Sequence, residues 1–218
     1  MKEAENISRP SGEWGTNLKY KKDWDKTLNI HTSGRDDSGA DTYHHPYEPT
    51  PYEVLERLAD SGHINKNNIL VDYGCGKGRV SFFLHHEIGC KTVGLEYDQN
   101  IYMQVLENLE RYGKTEEIPF FCENAADYKI KDADCFYFFN PFSVEILHSV
   151  LARILDSYYD NPREMKLFFY YPDDEYIAYL MSQDEFMFVD EIDCQDLFVG
   201  KDERERILIF DVEGYNEY

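Results

Sequence analysis

The run Val71-Asp72-Tyr73-Gly74-Cys75-Gly76-Lys77-Gly78-Arg79 constrains this chain more than any other part of it. It follows the apolar stretch Ile69-Leu70 and opens a helical pattern over residues 80–88. Alternate glycines between a strand and a helix let the backbone turn tightly and approach its neighbours closely. The helix N-terminus behind them offers N–H groups and partial positive charge, which suit a carboxylate or another small anion. The spacing separates ligand classes. A dinucleotide fingerprint, G-x-G-x-x-G, needs its third glycine at position 79, where this chain has Arg79. The phosphate loop G-x-x-x-x-G-K-[ST] does not occur.

Strand and helix patterns alternate around this turn. Apolar runs at 69–72, 92–96, 118–122, 133–139 and 166–171 read as strands. Residues 51–61, 80–88, 100–112, 144–158 and 173–181 read as helices, with Ile101, Val105 and Leu109 on one face of the third. Thr50 is the expected cap of the first helix and Pro51 its first residue. Residues 185–192 and 206–212 are strands with only a loop between them, hence an antiparallel pair. The expected fold is α/β: a doubly wound, mostly parallel seven-stranded sheet with a C-terminal antiparallel hairpin and helices on both faces. Residues 1–46 are polar, broken by Gly, Ser, Asp and Pro, and carry Trp14, Tyr20, Trp24 and Tyr43. They read as an irregular arm on a domain formed by residues 47–218.

Composition narrows the function classes. The 18 Tyr and 14 Phe are enough to build a core, which excludes general disorder. A formal net charge of -21 repels phosphate backbones, so nucleic acid is disfavoured and a small molecule or a protein is the expected partner. Cys75, Cys90, Cys122, Cys135 and Cys194 are odd in number and form no C-x-x-C, so free thiols in a reducing compartment are expected and no metal site. Residues 36–41 lack the alternating ligands of a calcium loop. His85 and His86 are adjacent on a helix and do not share a face, whereas His44 or His45 beside the 47–52 segment is a candidate base. The N-terminus has no apolar signal core, and no run approaches the ~18 apolar residues of a membrane span, so a cytoplasmic location without membrane contact is expected.

The order D-x-G-x-G-x-G from Asp72 to Gly78 resembles motif I of the class I, Rossmann-like, S-adenosylmethionine-dependent methyltransferases. The resemblance extends in pattern over residues 47–212. It implies S-adenosylmethionine as cofactor and S-adenosylhomocysteine as product. Asp72, Gly74, Cys75, Gly76 and Gly78 then form the cofactor turn. Glu96, 24 residues after Asp72, accepts the ribose hydroxyls, and Tyr97 packs on the adenine. In Glu123-Asn124-Ala125-Ala126-Asp127 the Asn124 side-chain oxygen and the Ala125 N–H read the adenine, with Asn124 in place of the usual Asp. Tyr47 and Thr50, in Tyr47-Glu48-Pro49-Thr50-Pro51-Tyr52, offer hydroxyls to the methionine carboxylate.

Phe139-Asn140-Pro141-Phe142-Ser143 resembles the (N/D)-P-P-(Y/F/W) motif of amine- and amide-methylating enzymes, one Pro short and with its aromatic residue one place early. Asn140, also a cofactor contact, is with Pro141 and Phe142 the expected catalytic set. Asn140 and the Pro141 carbonyl orient a target nitrogen, and the Phe142 ring packs on the substrate. The implied reaction is methyl transfer to an acceptor, with a nitrogen on a small molecule or protein favoured. A nicotinamide-dependent oxidoreductase and a non-catalytic cofactor-binding module remain as alternatives.

Overall fold

The computed structural model describes residues 22–36, 45–113, 116–200 and 202–214. The readings made for Trp14, Tyr20, Tyr43, His44 and residues 37–41 lie outside them. The elements are α1 (Trp24–Leu28), α2 (Tyr52–Asp60), β1 (Ile69–Tyr73), α3 (Arg79–Ile88), β2 (Lys91–Glu96), α4 (Gln99–Tyr112) and β3 (Phe120–Cys122). They continue as β4 (Cys135–Phe138), α5 (Val144–Asp160), β5 (Lys166–Tyr170), α6 (Asp174–Leu180), β6 (Phe186–Asp193) and β7 (Arg206–Val212). Each expected strand and helix forms with ends within two residues of its sequence pattern. Three elements lacked a periodic signal: α1, and the 3-10 turns Ala125–Asp127 and Gln195–Leu197.

Among the described residues the sheet has seven strands in the order β3-β2-β1-β4-β5-β7-β6. Pairings from β3 to β5 are parallel, while β7 runs antiparallel to both β5 and β6. The strands buried on both faces are continuous apolar runs: β4 (Cys-Phe-Tyr-Phe) is buried at every position. One face of the sheet packs on α1, α2 and α3 through Trp24, Leu55, Leu58 and Phe83. The other packs on α5 and α6 through Leu147, Leu151, Ile154 and Leu180. The outer strand β6 bulges at Phe188/Asp190 and carries Asp190, Glu191 and Asp193, features that oppose pairing with another edge.

Thr50 does not cap α2. Pro51 occupies the cap position without a side-chain hydrogen bond, and the Thr50 hydroxyl lies 3.0 Å from the Tyr137 hydroxyl. The Tyr137 hydroxyl is buried in the sheet and needs a partner there, whereas a helix start near the surface can be satisfied by water. His85 is likewise buried; its Nδ1 hydrogen-bonds the Cys90 carbonyl at 2.8 Å. Four of the five cysteines are buried thiols and Cys122 is exposed.

The described part of the arm is ordered by a small set of contacts. Asp23 caps α1 by accepting from the Lys26 N–H at 3.1 Å, and Asn29 ends the helix in the left-handed region at φ 56°. Trp24 meets Phe83 edge-on at 4.7 Å and donates its indole N–H to Glu56 at 2.6 Å. Trp24→Ala removes a large ring that is 4% exposed, and should cost about 3–5 kcal/mol in urea unfolding if the arm and domain unfold together. A midpoint equal to that of the wild type would mean that the arm melts independently of the sheet.

Candidate functional site

The strand order reverses between β1 and β4, the switch point at which α/β sheets of this kind leave a crevice beyond their carboxyl ends. A cleft lies there with about 980 Å³ of space, its open mouth included. Of the predicted site residues, Tyr47, Thr50, Asp72, Gly74, Cys75, Glu96, Tyr97, Asn124, Ala125, Asn140, Pro141 and Phe142 line it. Gly76 and Gly78 do not.

The three glycines of the turn all have positive φ, at 71°, 55° and 87°, which L side chains rarely adopt. The space they leave is filled by protein. A Cβ on Gly74 would meet Pro141 Cβ at 2.4 Å, and one on Gly78 would meet Phe82 at 2.6 Å. Gly76 is covered by the Tyr47 ring. Three N–H groups of the turn are also committed: Cys75 to the Leu95 carbonyl, Gly78 to the Cys75 carbonyl, and Gly76 to Glu96 Oε2 at 2.9 Å. The glycines therefore let the turn pack closely against Pro141, Tyr47 and Phe82.

Two acids stand at this end of the sheet, Asp72 buried and Glu96 half-buried. Glu96, at the tip of β2, accepts the N–H of Gly76 and, at 2.8 Å, that of Asp98. Burial raises its pKa above the usual carboxylate range despite those bonds. Asp72 is 2% exposed and accepts from the Ser81 hydroxyl at 3.0 Å. Burial, reinforced by the Glu96 charge and opposed by the Ser81 bonds, pushes its pKa up to about 7. Glu48, Asp98 and Glu123 add three more acids to the lining, and Arg79 is the only lysine or arginine among the described residues there.

Arg79 is spent on the arm. Its Nε donates to the Thr32 hydroxyl at 2.7 Å, one terminal nitrogen donates to the Thr50 carbonyl at 3.1 Å, and the other lies 3.9 Å from Asp25. Its guanidinium stacks 4.3 Å over the Tyr52 ring. Tyr52 and Thr32 both donate to Asp25, and the Tyr47 hydroxyl donates to the Thr32 carbonyl. Tyr47 and Thr50 thus line the cleft with their hydroxyls already paired, a role different from the carboxylate donors expected of them. The sequence marked Arg79 only as the residue replacing a glycine. Asp25 and Thr32 carried no signal at all.

The 139–143 segment also differs from its motif. Asn140 sits in the left-handed region at φ 40°; its Nδ2 donates to the Tyr171 carbonyl at 2.6 Å and its Oδ1 accepts from the Asp173 N–H at 3.2 Å. The side chain clips the end of β4 to the end of β5. The Pro141 carbonyl accepts the His45 N–H at 3.2 Å. Phe142 is 3% exposed and joins the core beneath α5, so its ring is not laid out as a substrate platform. Asn124 caps the short turn after β3, its Oδ1 accepting from the Ala126 N–H at 3.0 Å, while Tyr97 is 52% exposed at the rim.

No family model matches the chain. A protein-lysine N-methyltransferase of Saccharolobus islandicus (strain REY15A) is 33% identical over 73 residues, 33% of this chain and 45% of that protein, so the match spans less than half of the relative. The fold is shared more widely. An RNA methyltransferase from Salinibacter ruber, solved with S-adenosyl-L-homocysteine, superposes with a TM-score of 0.53 at 17% identity over 78% of this chain and 98% of that one. A putative RNA methyltransferase from Pyrococcus horikoshii gives 0.58 at 14% identity over 88% and 96%. The mitomycin 7-O-methyltransferase MmcR gives 0.57 at 13% identity over 74% and 53%.

The elevated Asp72 pKa has a sign that can be checked. A carboxyl whose pKa is higher folded than unfolded contributes stability below its unfolded pKa, near 3.8, and loses it as pH rises towards about 7. Asp72→Asn keeps a partner for Ser81 and removes the titration. Urea midpoints measured between pH 4 and 8 should therefore fall less steeply in the variant, by an amount on the order of a few kcal/mol over the interval. The strand order, the glycine turn and these neighbours together identify the architecture: the chain has the class I, Rossmann-like fold of the S-adenosylmethionine-dependent methyltransferases.

Proposed function

We propose that this chain is a methyltransferase that uses S-adenosylmethionine and delivers the methyl group to a nitrogen on a small molecule or a basic protein. The observation that carries the reading is the charge of the cleft: Asp72, Glu96, Asp98 and Glu123 line it, and its one guanidinium is neutralised by the arm. Such a lining attracts a sulfonium and an ammonium and repels a pyrophosphate, which argues against a nicotinamide dinucleotide. Glu96 at the tip of β2 suits the ribose hydroxyls, and Tyr97 and Asn124, which also line the cleft, suit the adenine. Tyr47, Thr50, Asn140 and Pro141 complete the lining.

The cofactor supplies a methyl carbon on a positively charged sulfur, ready to leave with the bonding electrons. The protein's task is then alignment and exclusion of water, contributions that reach about 7–11 kcal/mol in favourable cases. The rigid clip between Asn140, Tyr171 and Asp173 holds the β4 and β5 ends that frame the acceptor side. The net charge of -21 favours a cationic acceptor over RNA. The lysine methyltransferase similarity points the same way.

Calorimetry should show S-adenosylhomocysteine binding and no measurable heat with NADH. Glu96→Ala should weaken the former at least tenfold, about 1.4 kcal/mol or more. Methyl-labelled S-adenosylmethionine incubated with a fractionated cell lysate should label the protein or metabolite fraction. Label confined to RNA would refute the small-molecule or protein acceptor proposed here, and preference for NADH would refute the methyltransferase reading itself.

A further inference from the structure

We infer that His45 is the residue that takes the proton from the acceptor amine, an inference that rests on the methyl-transfer reading above. His45 Nδ1 lies 2.8 Å from the main-chain oxygen of Asn140. A carbonyl oxygen only accepts, so in the neutral ring Nδ1 carries the hydrogen and the lone pair resides on Nε2. The His45 N–H is bonded to the next carbonyl, that of Pro141, at 3.2 Å. One residue thus grips two consecutive carbonyls of the loop that ends β4, and both its tautomer and its position are set by that loop. His45 lines the cleft beside Asn140 and Pro141, is exposed to solvent, and has no partner for Nε2 among the described residues. An oriented imidazole with a free nitrogen at a cleft mouth is the arrangement expected of a general base.

The other charged groups around the cleft are engaged or remote. Glu96 holds the N–H groups of Gly76 and Asp98, and Asp72 holds Ser81. Asp98 caps α4 through the N–H groups of Asn100 and Ile101. Glu48 faces Arg35 at 3.9 Å, and Arg79 has no basic lone pair to offer. Glu123 follows β3, which β1 and β2 separate from β4 and the loop that His45 grips.

An amine reaches the cleft mostly as an ammonium ion and has no lone pair until it loses a proton. Nε2 takes that proton: the N–H bond of the acceptor breaks, its electron pair stays on the acceptor nitrogen, and the ring becomes imidazolium. The retained pair would form the new N–C bond as the C–S bond of the sulfonium breaks and its electron pair goes to sulfur, and the imidazolium returns its proton to water.

His45→Asn keeps an amide donor for the Asn140 carbonyl and removes the base. Its affinity for S-adenosylhomocysteine should stay within twofold of the wild type. With the lysate fraction that accepts label, its rate at pH 7 should fall about 10²–10⁴-fold. Its rate should then climb about tenfold per pH unit from pH 7 to 9, as the free amine of an acceptor with a pKa near ~10.4 becomes available, with the wild type climbing less steeply. A reading independent of turnover is the ring tautomer. In ¹⁵N-histidine spectra of the wild type, the resonance pair missing from His45→Asn should carry its proton on Nδ1. A proton on Nε2, or a variant whose rate and pH slope match the wild type, overturns the assignment. Failure of the wild type to bind S-adenosylhomocysteine overturns instead the reading on which it rests.

Discussion

The guanidinium of Arg79 ties the arm to the glycine turn, and the shape of the cleft depends on that tie. It sits at the first residue of α3, immediately after the turn, and reaches Thr32, Thr50 and Asp25 on segments far from it in sequence. Tyr52 and Tyr47 complete the network through Asp25 and the Thr32 carbonyl. Burial of a charged pair stabilises a fold only when its remaining hydrogen-bonding groups are satisfied, and here they are. The same network brings the Tyr47 ring over Gly76 and His45 onto the β4 loop. Tyr47 and His45 therefore form part of the cleft wall, packed against the glycine turn and the β4 loop.

That wall leaves an excess of negative charge inside. Burial raises both Asp72 and Glu96, and the charge of Glu96 adds to the rise at Asp72. A cation placed between them would draw both down and release protons. The field that destabilises the free protein is the field that would favour a cationic ligand. Stability and recognition oppose each other at these two residues, as they commonly do at binding sites.

The fold was legible because it rests on local patterns. The apolar runs of β1, β4 and β5 and the periodic faces of α4 and α5 mark their own limits, and a glycine turn between strand and helix has few alternatives. The site was legible in its outline for the same reason: Asp72, Glu96, Asn124 and Asn140 each stand at a strand end that the pattern locates. What each side chain does there was less legible. Asn140 and Asn124 present the expected groups, but both are bonded to neighbouring backbone. Phe142 lies one place from its motif position and falls into the core beneath α5.

The sequence by itself determined the sheet, its switch point and the acidic character of the chain, because periodicity, glycine placement and charge are properties of short stretches and sums. Only the tertiary structure decided that Arg79 serves the arm and not a ligand, that the glycines yield to Pro141, Tyr47 and Phe82, and that His45 meets the Asn140 carbonyl. Apart from Gly78 and Phe82, four positions apart, those are contacts between residues 29 to 95 positions apart. Hydrogen bonds and packing at such separation leave no periodic mark, and they exist only once the sheet has brought the strand ends together.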